Sequence, residues 1–272
     1  RLTVRDNGRG IPVEPHPKYP EKSALEVILT TLHSGGKFSA NVYETSGGLH
    51  GVGISVVNAL ASELLVEVAR NKTLYQQRYS RGAPLAPIET IGNAPNRRGT
   101  TVSFVPDTEI FGRHQFKPAK IFQFVRSKAY LYKGVEIRWS CTPELVEGTD
   151  TPHEAMLHYP KGLRDFLDTE LSGRSLIAHV FDGQTELPEK RGRVEWAIGW
   201  PRDEESTMHS YCNTIVTPLG GTHETGLRAA LTKGLKAFAE MSGNKKAMQM
   251  TAEDVLGGAH MILSIFIHEP QF

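Results

Sequence analysis

The sequence predicts an α+β protein in which helices cover a mixed, mostly antiparallel sheet, followed by a smaller α/β domain. Alternating strand patterns dominate the first half, and two of them, Leu64–Ala69 and Leu74–Tyr79, are joined by the turn residues Asn71-Lys72 as in a hairpin. Segments with helical periodicity lie between the strands. With 272 residues and 39% apolar content, the chain can bury cores for two domains.

The first half begins with a strand at Leu2–Arg5. Ser23-Ala24-Leu25-Glu26 has capping-box spacing and predicts a helix to about His33, and the glycine-rich stretch Ser46–Ser55 leads into a second helix. The remaining predicted elements are a loop over 82–99, a strand at Thr100–Val105, a helix from Pro118 through Leu131 and a strand at Val135–Trp139.

The second half is predicted to start near Pro152, because residues 142–159 are polar and rich in Pro, Gly and acidic side chains. This places one domain at 1–152 and another at 153–272. The predicted elements of the second domain are a short helix with Leu163 and Phe166, strands around Trp196, at Tyr211–Val216 and at Met261–Ile267, and a helix with Leu227, Leu231, Leu235 and Phe238.

The composition excludes several classes of protein. The net charge is +1, so any contact with DNA must be local. The two cysteines, Cys141 and Cys212, are too few for a disulfide scaffold and fit a reducing compartment, which favours the cytoplasm. No stretch has the length and apolar character of a membrane span, and no ligand spacing predicts a metal site.

The glycine-rich stretch is the centre of the predicted functional site. Four glycines occur in the seven positions 47–53, directly before the predicted helix. Glycines let a backbone approach a ligand closely, and the first N–H groups of a helix have no internal acceptor. The stretch therefore favours a bound anion, most often a phosphate, with a tight turn as the alternative interpretation. The spacing is neither that of a P-loop nor that of a dinucleotide-binding motif.

Three other residues are candidates for the same site. Asp6 follows the first strand, so its carboxylate could accept a hydrogen bond from the amine of a base while Gly10 lets the ring lie close; the alternative is an ordinary Asp-Asn-Gly turn. Lys37 lies between two glycine-rich stretches, where it could meet phosphate charge. Thr100 could point its hydroxyl at a base or only favour the strand through its branched Cβ.

Four motifs follow one another in the order Asp6-x-Gly-x-Gly10, Gly35-Gly36-Lys37, Gly47–Gly53 and Gly99-Thr100. Together they resemble the GHKL (Bergerat-type) ATPase sandwich shared by gyrase, heat-shock chaperone, histidine kinase and mismatch-repair ATPases. The continuation through Val56-Val57-Asn58-Ala59-Leu60 is similar to the ATPase subunits of type IIA DNA topoisomerases.

The second half carries the same resemblance. Asn213-Thr214-Ile215, followed by Gly220-Gly221-Thr222-His223, looks like the transducer domain of these subunits. Between the two bacterial subtypes, Arg126–Leu131 with Gly134–Trp139 is more similar to the B-subunit of topoisomerase IV than to that of gyrase. The resemblance therefore covers essentially the whole chain.

The resemblance implies ATP and Mg²⁺ as cofactors. Asp6 would accept the adenine amine, with Gly10 and Thr100 completing the base pocket through a shared water, and Lys37, Tyr43 and the backbone from Gly48 to Ile54 would hold the ribose and phosphates. The implied cofactor-binding residues are Asp6, Gly10, Ile11, Pro12, Ile28, Lys37, Tyr43, Gly48, Leu49, His50, Gly51, Val52, Gly53, Ile54 and Thr100.

No catalytic or metal-binding residue is expected within the 272 residues. By resemblance, the helix with the general-base Glu and the Mg²⁺-binding Asn should lie upstream of Arg1. A Gln-Thr-Lys loop, whose Lys reaches the terminal phosphate, should follow just after Phe272. We therefore expect most of the nucleotide pocket here, without the hydrolytic base.

The resemblance also implies how such a chain would work. ATP would close a lid, Gly35–Gly47, and favour a homodimer of ATPase domains that gates the passage of a DNA segment, with the breakage-reunion A-subunit of the topoisomerase as a further partner and the nucleoid as location. The alternatives are a gyrase B function in negative supercoiling, and a chaperone-like nucleotide-binding module that does not act on DNA.

Overall fold

The computed structural model describes residues 1–34, 51–113, 115–202, 204–268 and 270–271. Its contacts divide the chain into two compact units, Arg1–Phe116 and Lys117–Phe272. Each unit has its own sheet and its own buried apolar cluster. No helix in the described part of the chain is long and apolar enough to cross a membrane.

The elements of the first unit follow one another along the chain as β1 (Leu2–Arg5), β2 (Pro15–His16), β3 (Tyr19–Ser23), α1 (Ala24–Thr30), α2 (Gly53–Ala59), β4 (Ala61–Arg70), β5 (Thr73–Ser80), β6 (Ala83–Pro84), β7 (Glu89–Asn93), β8 (Gly99–Pro106) and α3 (Thr108–Phe111). The main sheet has the order β1-β8-β4-β5-β6, with β7 also paired to β5. All of these described pairings are antiparallel.

The predicted hairpin is confirmed as β4 and β5. Arg70 pairs with Thr73, so Asn71 and Lys72 alone form the turn. Both turn residues have positive φ, 52° and 64°. Two left-handed residues match the right-handed twist of the flanking strands, which explains the tight connection. The predicted loop over 82–99 differs from the structure, because it contains β6 and β7.

Helix α1 begins where the sequence predicts. The Oγ of Ser23 accepts a hydrogen bond from the N–H of Glu26 at 3.1 Å, which caps the first turn. The helix ends at Thr30 rather than near His33, because Thr31 has an extended conformation. Its buried face packs with residues of β4 and β5 in one cluster: Leu25, Leu29, Ala61, Leu64, Val66, Val68 and Tyr79.

The elements of the second unit are α4 (Pro118–Leu131), β9 (Glu136–Ser140), β10 (Glu154–His158), α5 (Leu163–Glu170), β11 (Phe181–Glu186), β12 (Gly192–Gly199), β13 (Thr207–Cys212), β14 (Ile215–Val216), α6 (Thr222–Met241), α7 (Ala252–Leu256) and β15 (His260–Ile267). Their main sheet has the order β11-β12-β15-β13-β14, while β9 and β10 form a separate pair. The pair β13 and β15 is parallel, which makes this sheet the mixed one.

The contacts place the boundary between the two units after Phe116, whereas the sequence pattern predicts a domain boundary near Pro152. The segment 142–159, in which the boundary near Pro152 is predicted, contains β10, and β10 pairs with β9 so that Ala155 lies opposite Trp139. Leu157 and Tyr159 lie in the same buried cluster as Ala129–Leu131 of α4. Residues on both sides of Pro152 therefore belong to one compact unit. That the ATPase domain is residues 1–152 and the transducer domain 153–272 stays a prediction.

Candidate functional site

The candidate site is built around the end of β1, where Asp6 lies beside Thr100 of β8. The backbone N–H of Asp6 donates to the carbonyl of Thr100 at 2.9 Å. The Asp6 Oδ1 in turn accepts from the N–H of Thr100 at 3.1 Å and from the N–H of Gly8 at 2.8 Å. Both side-chain bonds end on Oδ1, so Oδ2 has no partner among the described residues. An ionised carboxylate only accepts hydrogen bonds, which leaves Oδ2 for an external donor.

Thr100 contributes a buried hydroxyl group next to the Asp6 carboxylate. Its side chain is buried, and its Oγ1 accepts a hydrogen bond from the N–H of Ile11 at 3.2 Å. A hydroxyl can donate as well as accept, so its own hydrogen is left for a further acceptor. Asp6 and Thr100 thus bring together a free acceptor and a donor, which is the pattern needed to read an amine next to a ring nitrogen.

Two glycines allow the close approach of these segments. A Cβ at Gly99, where φ is +101°, would lie 2.1 Å from the carbonyl oxygen of Asp6. A Cβ at Gly10, where φ is +76°, would lie 3.0 Å from Val68 Cγ1 and 3.1 Å from the carbonyl oxygen of Ala69. Gly10 therefore lets the turn pack on β4, and its predicted closeness to a base stays a prediction.

Three of the predicted site residues are isoleucines on separate elements. Ile11 follows the Asp6 turn, Ile28 lies in α1 and Ile54 lies in α2, and all three are partly buried against the same apolar cluster. Pro12, the remaining predicted residue of this part, is exposed. The three isoleucines therefore share one apolar cluster, although they are far apart in the sequence.

The described end of the glycine-rich stretch is Gly51–Ile54. Helix α2 begins at Gly53, and its N-cap residue Val52 makes no side-chain hydrogen bond to the first turn. A Cβ at Gly53 would meet no atom of the described residues within 4 Å. The other predicted residues, Lys37, Tyr43, Gly48, Leu49 and His50, lie outside the described residues, as does the predicted lid Gly35–Gly47.

Two residues with clear structural roles here are not among the predicted site residues. The Arg70 guanidinium donates to the carbonyl of Gly10 and to the carboxylate of Glu14, both at 3.2 Å. A hydrogen bond from the backbone N–H of Glu14 to its own carboxylate is the main reason why the pKa of this carboxyl lies below its ordinary value. The charge and hydrogen bond of the Arg70 guanidinium lower this pKa further. Asn58, in α2, donates to the carbonyl of Leu29 in α1 at 3.0 Å. No spacing in the sequence signals either contact.

The described residues fit the base of a nucleotide better than they fit a metal ion. The free Asp6 Oδ2 and the Thr100 hydroxyl are suited to a flat ring with an amine, and the apolar cluster that Ile11 packs against lies next to them. Within the described ranges, no three His, Cys, Asp or Glu residues lie close enough to hold a metal ion. We therefore assign no described residue to Mg²⁺.

Comparison with known proteins gives two family matches, one for each half of the chain. Residues 1–110 match the model of histidine kinase-, DNA gyrase B- and HSP90-like ATPases, and residues 162–272 match the model of DNA gyrase B. The chain is 53% identical to the B-subunit of DNA topoisomerase 4 from Bartonella bacilliformis and 38% identical to the B-subunit of DNA gyrase from Thermus thermophilus. All of this chain is covered, against 40% and 42% of those two proteins.

The fold is also that of a solved relative. The 43K ATPase domain of Thermus thermophilus gyrase B, in complex with an aminocoumarin, superposes with a TM-score of 0.81 at 33% identity, covering 99% of this chain and 68% of that one. The chain spans about 40% of the length of the curated topoisomerase 4 relative. By sequence and by fold, the chain belongs to the family of type IIA topoisomerase B-subunits, which comprises those of gyrase and of topoisomerase IV.

Proposed function

We propose that this chain is the ATP-binding part of an ATP-hydrolysing type II DNA topoisomerase. The observation that carries the proposal is the pairing of a free carboxylate oxygen on Asp6 with the buried hydroxyl of Thr100. Asp6 Oδ2 would accept the adenine amine, and the Thr100 hydroxyl would donate to a water shared with the ring. Ile11, Ile28 and Ile54 would form an apolar wall against the base.

The phosphates would lie at the backbone of Gly51–Ile54, where the first N–H groups of α2 have no side-chain cap. When bound, Mg²⁺ supplies positive charge that offsets the charge of the phosphates. We assign none of the described residues to the general base, to the metal-binding Asn or to the lysine of the Gln-Thr-Lys loop. The residues of this chain bind and orient the nucleotide.

Nucleotide binding would act on DNA through a second copy of the chain. We infer that ATP favours the dimer of ATPase domains, and that this dimer gates the passage of a DNA segment through the break made by the breakage-reunion A-subunit. A ligand shifts such an equilibrium only by its difference in affinity for the two states, so ATP must bind the dimer more tightly. The membership of the chain in the type IIA family supports these partners.

Topoisomerase IV is the better supported of the two bacterial subtypes. The chain is 53% identical to a topoisomerase 4 relative and 38% identical to a gyrase relative. We therefore propose decatenation and relaxation, carried out in the cytoplasm at the nucleoid. Together with its A-subunit, the full-length protein should unlink catenated circles and should not introduce negative supercoils; ATP-dependent supercoiling would favour the gyrase alternative.

The nucleotide assignment is tested by Asp6→Asn in the full-length protein. An Asn side chain keeps the oxygen that accepts from Gly8 and Thr100, and it replaces the free Oδ2 by a donor that faces the adenine amine. We expect calorimetric titration with ATP and Mg²⁺ to show a loss of about 2–3 kcal/mol, or roughly 30- to 150-fold in Kd.

Asp107→Asn is the matched control, because Asp107 also accepts a backbone N–H, from Glu109 at 2.9 Å, and no predicted ligand contact involves it. Its Kd for ATP should equal that of the wild type. An Asp6→Asn protein that binds ATP within twofold of the wild type would contradict the adenine assignment.

An ATPase rate that duplex DNA does not stimulate would favour the chaperone-like alternative.

A further inference from the structure

Asn58 is a fully buried polar residue between the two helices of the candidate site. Its relative exposure is 0%, and its Nδ2 donates to the carbonyl of Leu29 at 3.0 Å. Because a carbonyl can only accept, the amide orientation is fixed by this partner. The backbone carbonyl of Asn58 also accepts a hydrogen bond, from the N–H of Gly82 at 3.0 Å.

The partner of Asn58 lies at the C-terminal end of α1. The last carbonyls of a helix lack partners from further along the helix, so they need other donors. The Val27 carbonyl accepts from the N–H of Thr31 at 2.9 Å and from the Oγ of Ser34 at 3.0 Å. Asn58 provides a donor for Leu29, the residue next to Ile28 of the apolar wall. The bond therefore joins α2 to the last turn of α1.

This bond differs in kind from the apolar packing around it. Packing between two helices is not directional and tolerates small sliding movements, whereas a buried hydrogen bond fixes direction and distance. The Oδ1 of Asn58 is buried and has no partner among the described residues. An unpaired buried oxygen lowers stability by about 1–3 kcal/mol, which offsets most of what the bond to Leu29 contributes to stability.

We propose that Asn58 is a positioning residue of the nucleotide site. By tying α2 to Leu29, it sets the distance between Gly51–Ile54, on the phosphate side, and Ile28, on the base side. The inference rests on the proposed function, because it assumes that one ligand contacts both sides. A ligand that spans them, such as ATP, depends on this distance, and adenosine, which reaches only the base side, does not.

The test compares two ligands on one variant of the full-length protein. Asn58→Leu has a similar volume and no donor, and Asn58→Ala is a second, smaller variant in case the first does not fold. Calorimetry gives the Kd for ATP with Mg²⁺ and the Kd for adenosine. The ratio of the two constants does not depend on the folded fraction, because unfolding weakens both apparent affinities by the same factor. A purely structural role would therefore leave the ratio unchanged.

Tyr79→Phe is the matched control. It removes another buried hydrogen bond of the same unit, from the Tyr79 hydroxyl to Gln77 Oε1 at 2.7 Å. We expect both Asn58 variants to lower the preference for ATP over adenosine at least tenfold, and Tyr79→Phe to leave it within twofold of the wild type. An unchanged preference in the Asn58 variants overturns the inference. A wild-type protein that binds neither ligand overturns the proposed function instead.

Discussion

Gly10 shows how the backbone conformation of one residue can determine the shape of the candidate site. It has a φ of +76°, and a Cβ there would contact Val68 and the backbone of Ala69. The next residue, Ile11, makes the hydrogen bond to Thr100, and Arg70 holds the carbonyl of Gly10. The conformation of this glycine therefore sets where the Asp6 turn meets the sheet.

Gly10→Ala should destabilise the first unit and weaken nucleotide binding together. A left-handed conformation costs an alanine about 1–2 kcal/mol, and the contact with Val68 adds to this. We expect the free energy of unfolding in urea to fall by about 2–3 kcal/mol. Gly226→Ala is the control, because no atom of the described residues lies within 4 Å of its Cβ position in α6, and it should raise stability by up to about 1 kcal/mol. Equal stability of both variants would contradict this account.

Individual site residues differ in how far the sequence reveals them. Asp6 and Thr100 can be proposed as site residues from the sequence alone, because Asp6 follows a recognisable strand and Thr100 begins another, and both lie close to glycines. Arg70 and Asn58 cannot, because their partners lie 60 and 29 residues away and are backbone carbonyls, which every residue has. A sequence pattern identifies groups that need a special residue type. It does not identify contacts that only the folded chain brings together.

At the scale of elements, burial separates those that the sequence predicts from those that it does not. Helix α4 runs from Pro118 to Leu131 as predicted, because a proline favours the first turn and the apolar positions repeat with helical spacing. Strands β7 and β11 are almost entirely exposed and have no alternating pattern. They form by hydrogen bonding to neighbouring strands, β7 to β5 and β11 to β12. A local sequence pattern does not show where such a partner strand lies.

The turn between β13 and β14 has a role that the predicted continuous strand Tyr211–Val216 hides. Asn213 and Thr214 both have positive φ, 47° and 67°, and interrupt the strand. The Asn213 side chain donates to the carbonyl of Ile267 and accepts from its N–H, both at 2.8 Å. Lys128 of α4 donates to the carbonyl of Thr214 at 2.6 Å. The turn thereby fixes the end of β15.

Asn213→Ala should destabilise the second unit by about 2–4 kcal/mol, because both backbone groups of Ile267 lose their partner and alanine disfavours the left-handed turn. Asn213→Gly loses the same bonds without the backbone cost, so its loss should be about 1 kcal/mol smaller. Urea unfolding of the two variants beside the wild type measures both contributions. If the glycine variant is as stable as the wild type, the side-chain bonds to Ile267 contribute nothing.

For the whole molecule, the polar composition of residues 142–159 predicts a domain boundary near Pro152, and the packing on both sides of that residue can be compared with this prediction. Tyr130 of α4 stacks on Phe166 with ring centroids 3.9 Å apart, and its hydroxyl lies 2.5 Å from that of Tyr211. Both tyrosine hydroxyls are buried, and burial raises the pKa of each. These contacts join residues on both sides of Pro152 in one core. The polar composition of residues 142–159 indicates that this segment is exposed. It does not indicate which elements the residues before and after the segment pack against.

A fragment of residues 117–272 should therefore unfold cooperatively in urea, and a fragment of residues 153–272 should not. The shorter fragment lacks Tyr130 and Leu131, whose burial contributes about 1.5–3 kcal/mol each, and Phe166 and Tyr211 lose their contacts with the Tyr130 ring. Such a loss is a large fraction of the roughly 5–15 kcal/mol typical of a domain. Circular dichroism and tryptophan fluorescence should give coincident transitions only for the longer fragment. Cooperative unfolding of residues 153–272 alone would show that the core of the second unit does not need α4.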